Sequence, residues 1–132
     1  MKIEVVRAIL DCRVLVGEEC LSQEVQVGCG SDLMSDVLAF IKPHALLLTG
    51  LTNVQAVRTA EIAEVKAIVY VRGKLPEPAA IELAREKGIV LLATRLPMFE
   101  SCGRLYSQGL PGGSELQEVA THAGRQSVSS KL

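Results

Sequence analysis

A chain of 132 residues with a formal charge of −1 suits one domain and carries no global field that would draw it onto nucleic acid or an anionic membrane. Apolar residues make up 48% of it but aromatics only 3%, with no Trp. Its core must therefore be built from Val, Ile, Leu and Ala, and so few aromatics argue against the base-stacking surfaces that hold single strands.

The first element read along the chain is a short helix, with Ile3, Val6 and Leu10 on one face, followed by a strand at RVLVG, 13–17. The polar EECLSQ segment turns the chain into a second strand, VQVGC at 25–29, which feeds a helix from Ser31. On that helix Leu33, Met34, Val37, Leu38 and Ile41 fall on one face.

A rhythm follows. ALLLT begins at 45, AIVYV at 67 and IVLLA at 89, each start 22 residues after the last. Strands that read as apolar throughout, each followed by a turn and a helical pattern, are those of a parallel sheet covered on both faces. Ala56, Ala60 and Ala63, then Ala79, Ala80 and Ala84, let two of the helices lie close to it. Pro76 and Pro78 mark entry to a helix around 79–87, and Gly88 and Gly109 stand where a helix end wants a left-handed residue. The last helix is expected to bury Met98, Phe99, Cys102, Leu105 and Tyr106. The fold class is thus α/β, three layers about a mostly parallel sheet, over residues 1–110. Residues 111–132 read as a tail in which Ser114 and Gln117 cap a short helix at 115–123, with a disordered end.

Chemistry-bearing motifs are missing. There is no G-x-x-x-x-G-K-[ST] loop, since Gly73-Lys74 runs into Leu75-Pro76, and Gly28-Cys29-Gly30 lacks the third glycine of a dinucleotide fingerprint. No G-x-S-x-G elbow accompanies His44 or His122. Cys12, Cys20, Cys29 and Cys102 never form C-x-x-C, so neither metal nor cofactor is expected, and each reads first as a small buried hydrophobe. Cys29, between two glycines, and Cys102, near a helix, are the two with a conceivable redox role.

In a parallel sheet, ligands bind beyond the carboxyl ends of the strands. Those ends deliver Ser31 and Asp32; Thr49, Gly50, Thr52 and Asn53; Arg72, Gly73 and Lys74; and Thr94 and Arg95. Hydroxyls and three cations beside helix amides can hold an anion. Equally, Ser31, Thr52 and Asn53 can serve as N-caps, with Gly50 and Gly73 permitting turns. The candidate ligand-binding set is Ser31, Asp32, Thr49, Gly50, Asn53, Arg72, Gly73 and Thr94, and no catalytic residue is assigned.

The stretches VQVGCGSDLMSDVLAF, ALLLTGLTNVQAVRTAEIAEVKAIVYVRGKLP and ELAREKGIVLLATRLPMFESCGRLYSQGL resemble the DRTGG domain family, over roughly residues 1–110. This chain departs at the naming residues. Thr49-Gly50-Leu51-Thr52 stands without Asp-Arg, and Val71-Arg72-Gly73 keeps one glycine of Thr-Gly-Gly. The resemblance implies a fold similar to the N-terminal domain of HPr kinase/phosphorylase and a regulatory, ligand-sensing role without catalysis. It also implies a homodimer, an anionic or nucleotide-like effector and a metabolic enzyme as partner, hydrogenase-linked for some small stand-alone members. The alternative is a small phosphate-handling enzyme related to HPr kinase. Nucleic acid and membrane are not expected as partners. The terminal Ser130-Lys131-Leu132 spells a peroxisomal address, but the resemblance points to prokaryotes, so a cytoplasmic location is expected.

Overall fold

The computed structural model describes residues 1–114. The elements run α1 (Ile3–Leu10), β1 (Arg13–Val16), a 3₁₀ turn at Glu18–Cys20, β2 (Val27–Gly30), α2 (Met34–Phe40), β3 (Ala45–Thr49), α3 (Val54–Ile62), β4 (Ala67–Tyr70), α4 (Pro78–Lys87), β5 (Val90–Ala93) and α5 (Met98–Ser107). They form a single five-stranded sheet in the order β1-β5-β4-β3-β2. β2 through β5 are mutually parallel, whereas β1 pairs antiparallel with β5 at the far edge. The α/β three-layer expectation holds, and the repeating apolar runs are the three adjacent central strands.

Side-chain alternation explains why those strands read as apolar throughout. Leu46, Leu48, Ala67, Val69, Val90 and Leu92 point to one face, where they meet Ile3, Val6 and Leu10 of α1 and Leu105 of α5. Leu47, Ile68, Tyr70 and Leu91 point to the other and meet Met34 and Val37 of α2, Ala56, Val57 and Ala60 of α3, and Ala80 and Ala84 of α4. Both faces are dry, so neither parity of the strand can be polar. Ile3, Val6 and Leu10 are completely buried, and each such side chain contributes roughly 1.5–3 kcal/mol of burial.

β1 and β2 lie on opposite edges, joined by residues 17–26. Gly17 makes the turn possible in two ways: its φ is +95°, and a Cβ there would stand 2.8 Å from Val90 Cγ2. At the other edge α5 lies directly on β2. A Cβ at Gly30 would approach Cys102 Sγ to 2.8 Å and Met98 Sδ to 3.0 Å. Gly88 takes the left-handed C-cap of α4, Pro78 opens that helix, and Gly109 has φ +108°, all as the sequence suggests.

Two helices differ from their expected faces. α2 begins at Met34 rather than Ser31, so Leu33 lies outside it; Leu33 and Leu38 are both exposed. On α5 the buried face is Ser101 and Leu105, flanked by Met98 and Cys102, while Phe99 is 88% and Tyr106 61% exposed. The physical reason is position. α2 and α5 flank β2, an edge strand, so part of each apolar stripe extends past the sheet. The predicted helix at 115–123 and the tail's disordered end fall outside the described residues; within them, Leu110 is buried in the core and Pro111 O accepts a hydrogen bond from Gly28 N (2.9 Å).

Candidate functional site

The parallel strands bring their carboxyl ends together along one side of the sheet, as the pairing registers of β2 to β5 require. The predicted ligand-binding residues sit there, but they divide into two groups with different chemistry.

Beyond β2 and β3 the polar groups bond to one another. Asp32 Oδ1 accepts from the hydroxyl of Thr49 (2.9 Å) and from the amide of Gly50 (2.6 Å). Thr49 is fully buried, and its Oγ1 also accepts from Leu51 N (3.1 Å), so both its hydrogen-bonding roles are filled. Ser31 does not cap a helix; its Oγ accepts from Leu33 N (3.0 Å) in a local turn, and its own amide donates to Leu48 O. Asn53 does cap α3, accepting from Gln55 N (3.1 Å). Thr52, also expected as a cap, instead gives its carbonyl to Glu77 N (3.0 Å) and ties two loops together.

Beyond β4 and β5 the chain makes a tight turn at 71–74, closed by Lys74 N donating to Val71 O (3.3 Å). Arg72 (φ +61°) and Gly73 (φ +71°) are both left-handed, the signature of a type I′ turn. Glycine takes this conformation freely, whereas an arginine there is strained by about 1 kcal/mol or more. The turn is fixed to the next loop, Arg72 N donating to Leu96 O and Gly73 N to Thr94 O, each at 2.9 Å. Thr94, nearly fully buried, donates its hydroxyl to Leu10 O (2.7 Å) and accepts from Leu96 N (3.2 Å).

These bonds floor a cleft of about 440 Å³, lined by Gly73, Leu75, Thr94 and Leu96 and by three arginines, Arg13, Arg95 and Arg104. Arg95 is one of the strand-end cations read from the sequence. Arg13 and Arg104 were not candidates, because one is written in the first strand and the other in the last helix. Only the antiparallel seating of β1 beside β5 brings them to one place. Among the described residues Asp11 is the one carboxylate residue lining the cleft. The sole ion pair among the described residues, Lys87 with Glu61 at 3.2 Å, involves neither Arg72 nor any cleft arginine.

A second hollow of about 360 Å³ lies between β2 and α5, walled by Gly28, Gly30, Leu48, Phe99, Leu105 and Leu110 among others. It is apolar. Cys29 and Cys102 both line it, yet Cys29 packs with the α2–α3–α4 core and Cys102 with the α1–α5 core, so they face opposite sides of the sheet. Burial pushes both thiols upward, and it pushes Cys12 up to about 12. Thiols held protonated in this way are poor nucleophiles. The Tyr70 hydroxyl is buried without a partner among the described residues, and burial raises its pKa as well. Among the described residues no group of three or more His, Cys, Asp or Glu side chains could hold a metal ion, and no helix is long and apolar enough to cross a membrane.

No protein-family model and no curated protein matches the chain. A solved structure does: the CBS and DRTGG domains of the regulatory region of Clostridium perfringens pyrophosphatase, complexed with activator, diadenosine tetraphosphate. The likeness has a TM-score of 0.65 at 18% identity and covers 83% of this chain but 47% of that one. This chain therefore spans about half the length of its structural neighbour. At that identity the likeness shows a shared fold.

Proposed function

We propose that this chain is a non-catalytic regulatory module that senses an anionic or nucleotide-like effector and works with a metabolic enzyme. The observation that carries the reading is the division of labour at the strand ends. Every hydroxyl and carboxylate of the predicted site is engaged in bonds that hold loops, the charge left over in that set is the Arg72 guanidinium, and three of the four charged residues lining the neighbouring cleft are arginines. Guanidiniums bind anions but neither take nor supply protons near neutral pH. A site of this kind recognises without transforming. The structural neighbour, a regulatory region seen with a nucleotide activator, supports the same reading by fold.

The alternative, a phosphate-handling enzyme related to HPr kinase, has little to stand on. Gly73 and Lys74 belong to a four-residue turn, not to a loop whose amides cradle phosphates. Self-association is part of the proposal: β2 is an edge strand that residues 111–112 meet at Gly28, and the exposed Phe40 and Phe99 flank it from the two helix layers. Edges of this kind are covered by pairing or by packing.

A thermal-shift panel of nucleotides, phosphorylated metabolites and acidic metabolites on the full chain tests the reading. A ligand at a hundred times its Kd adds about 2.7 kcal/mol of stability, a shift of several degrees. With ATP and Mg²⁺ no phosphate should be released. Turnover, or a melting curve unmoved by the whole panel, overturns the proposal. Light scattering at micromolar concentration should give twice the monomer mass, and Phe99→Glu should halve it.

A further inference from the structure

We infer that the cleft framed by Arg13, Arg95 and Arg104 binds a ligand through two or more linked phosphate groups. The inference rests on the reading of the chain as a ligand-sensing module and specifies where and by what chemistry it senses. Three cations reach the cleft from three separate elements: the start of β1, the β5–α5 loop and the last turns of α5. Each has a bland explanation when taken singly. Arg13 can guard an edge strand, Arg104 can favour the negative end of its helix, and Arg95 can sit solvated on a loop. None of these explains convergence on one concavity, where like charges repel.

Among the described residues one carboxylate, that of Asp11, lines the cleft with the three arginines, so their net charge there is positive. Asp11 stands at the left-handed C-cap of α1, with its main-chain amide bonded to the helix carbonyls of Ala8 and Arg7. No arginine of the cleft has an ion-pair partner among the described residues. A single carboxylate can take one guanidinium by two hydrogen bonds, leaving two cations unmatched. Linked phosphates spread several charged oxygens across a few ångströms and can meet all three. The volume, about 440 Å³, admits such a chain. The floor is already fixed, because Thr94 and Gly73 are tied to Leu10 and to each other before any ligand arrives. The backbone then needs no further ordering, and what opposes binding is the ordering of the three exposed arginine side chains.

Inorganic tripolyphosphate, ATP, AMP and citrate, titrated calorimetrically into the full chain at low and moderate salt, test the inference. Tripolyphosphate should bind, with affinity falling as salt rises, and AMP should bind at least about tenfold more weakly. Equal affinity for tripolyphosphate and ATP identifies the phosphate chain alone as the ligand chemistry; tighter ATP binding adds a nucleoside to it. Arg95→Gln with Arg104→Gln, and separately Arg13→Gln, should each weaken tripolyphosphate at least about tenfold. Arg58→Gln with Arg85→Gln, on α3 and α4, should not. Binding retained in both cleft variants, or lost only on Arg72→Ala, overturns the inference while leaving the regulatory reading intact. So does a chain that ignores tripolyphosphate and ATP but is stabilised by a monoanionic metabolite. A chain that responds to nothing overturns both.

Discussion

The β2–β3 half and the β4–β5 half of the strand-end crevice contain nearly the same parts. Each has a buried threonine, a glycine after a strand and an exposed charge: Thr49, Gly50 and Asp32 in one, Thr94, Gly73 and Arg95 in the other. In the first half the charge itself satisfies the hydroxyl and the amide. In the second half main-chain carbonyls do that, Leu10 O for the hydroxyl and Thr94 O for the amide. The charge is then left over. A side chain becomes available to a ligand when the backbone already meets its neighbours' needs.

That comparison can be broken. The largest effect is expected from Thr94→Val, which strands the Leu10 carbonyl and the Leu96 amide. A loss of about 2 kcal/mol follows from unsatisfied buried groups, seen as a melting temperature lower by roughly 6–10 °C. If the protein melts unchanged, the second half is not held by its backbone ties. Asp32→Ala comes next, at about 1–2 kcal/mol, because water can reach the vacated amide at this exposed position. In denaturant titration its midpoint should fall while tripolyphosphate affinity stays constant. Equal damage to both would merge the two halves into one site.

Arg72→Gly should move stability the other way, by about 0.5–1 kcal/mol, since glycine accepts a left-handed φ without strain. A melting temperature that drops instead would mean the guanidinium makes a stabilising contact that offsets its backbone strain. The smallest shift is expected from Arg95→Gln with Arg104→Gln. Removing unpaired like charges should leave stability within about 0.5 kcal/mol, with any gain confined to low salt. Destabilisation at every salt concentration would show that these arginines hold the fold.

The sequence made the sheet legible because burial on both faces leaves a strand no polar parity, so ALLLT, AIVY and VLLA announce themselves. Their order and parallel pairing followed from the helices between them. The direction of RVLV was not legible, since four residues say nothing of which neighbour they will meet. That omission concealed the cleft: Arg13 and Arg104 come from opposite ends of the described chain and meet only because β1 turns antiparallel onto β5. The sequence places Asp32 at one strand end and Thr49 and Gly50 at another, but nothing local tells that their hydrogen bonds close on one another. Phe99 and Tyr106 were assigned to the core because helical periodicity reports a stripe, not how far the sheet beneath it extends.

Gly30 has a mechanical consequence that reaches the opposite edge of the molecule. With no Cβ between β2 and the sulfurs of Cys102 and Met98, the glycine acts as the seat of a beam, and α5 is that beam. Its sheet-facing flank rests on the seat; two residues along from Cys102, Arg104 hangs from another flank over the cleft. A shim of one methyl group at position 30 pushes on the Cys102 and Met98 sulfurs, and whatever their side chains do not absorb by turning aside passes into α5. The span between Arg104 and Arg95 would change with it. The calibre of an anion site at one edge of the sheet is thereby linked, along α5, to a hydrogen atom at the other.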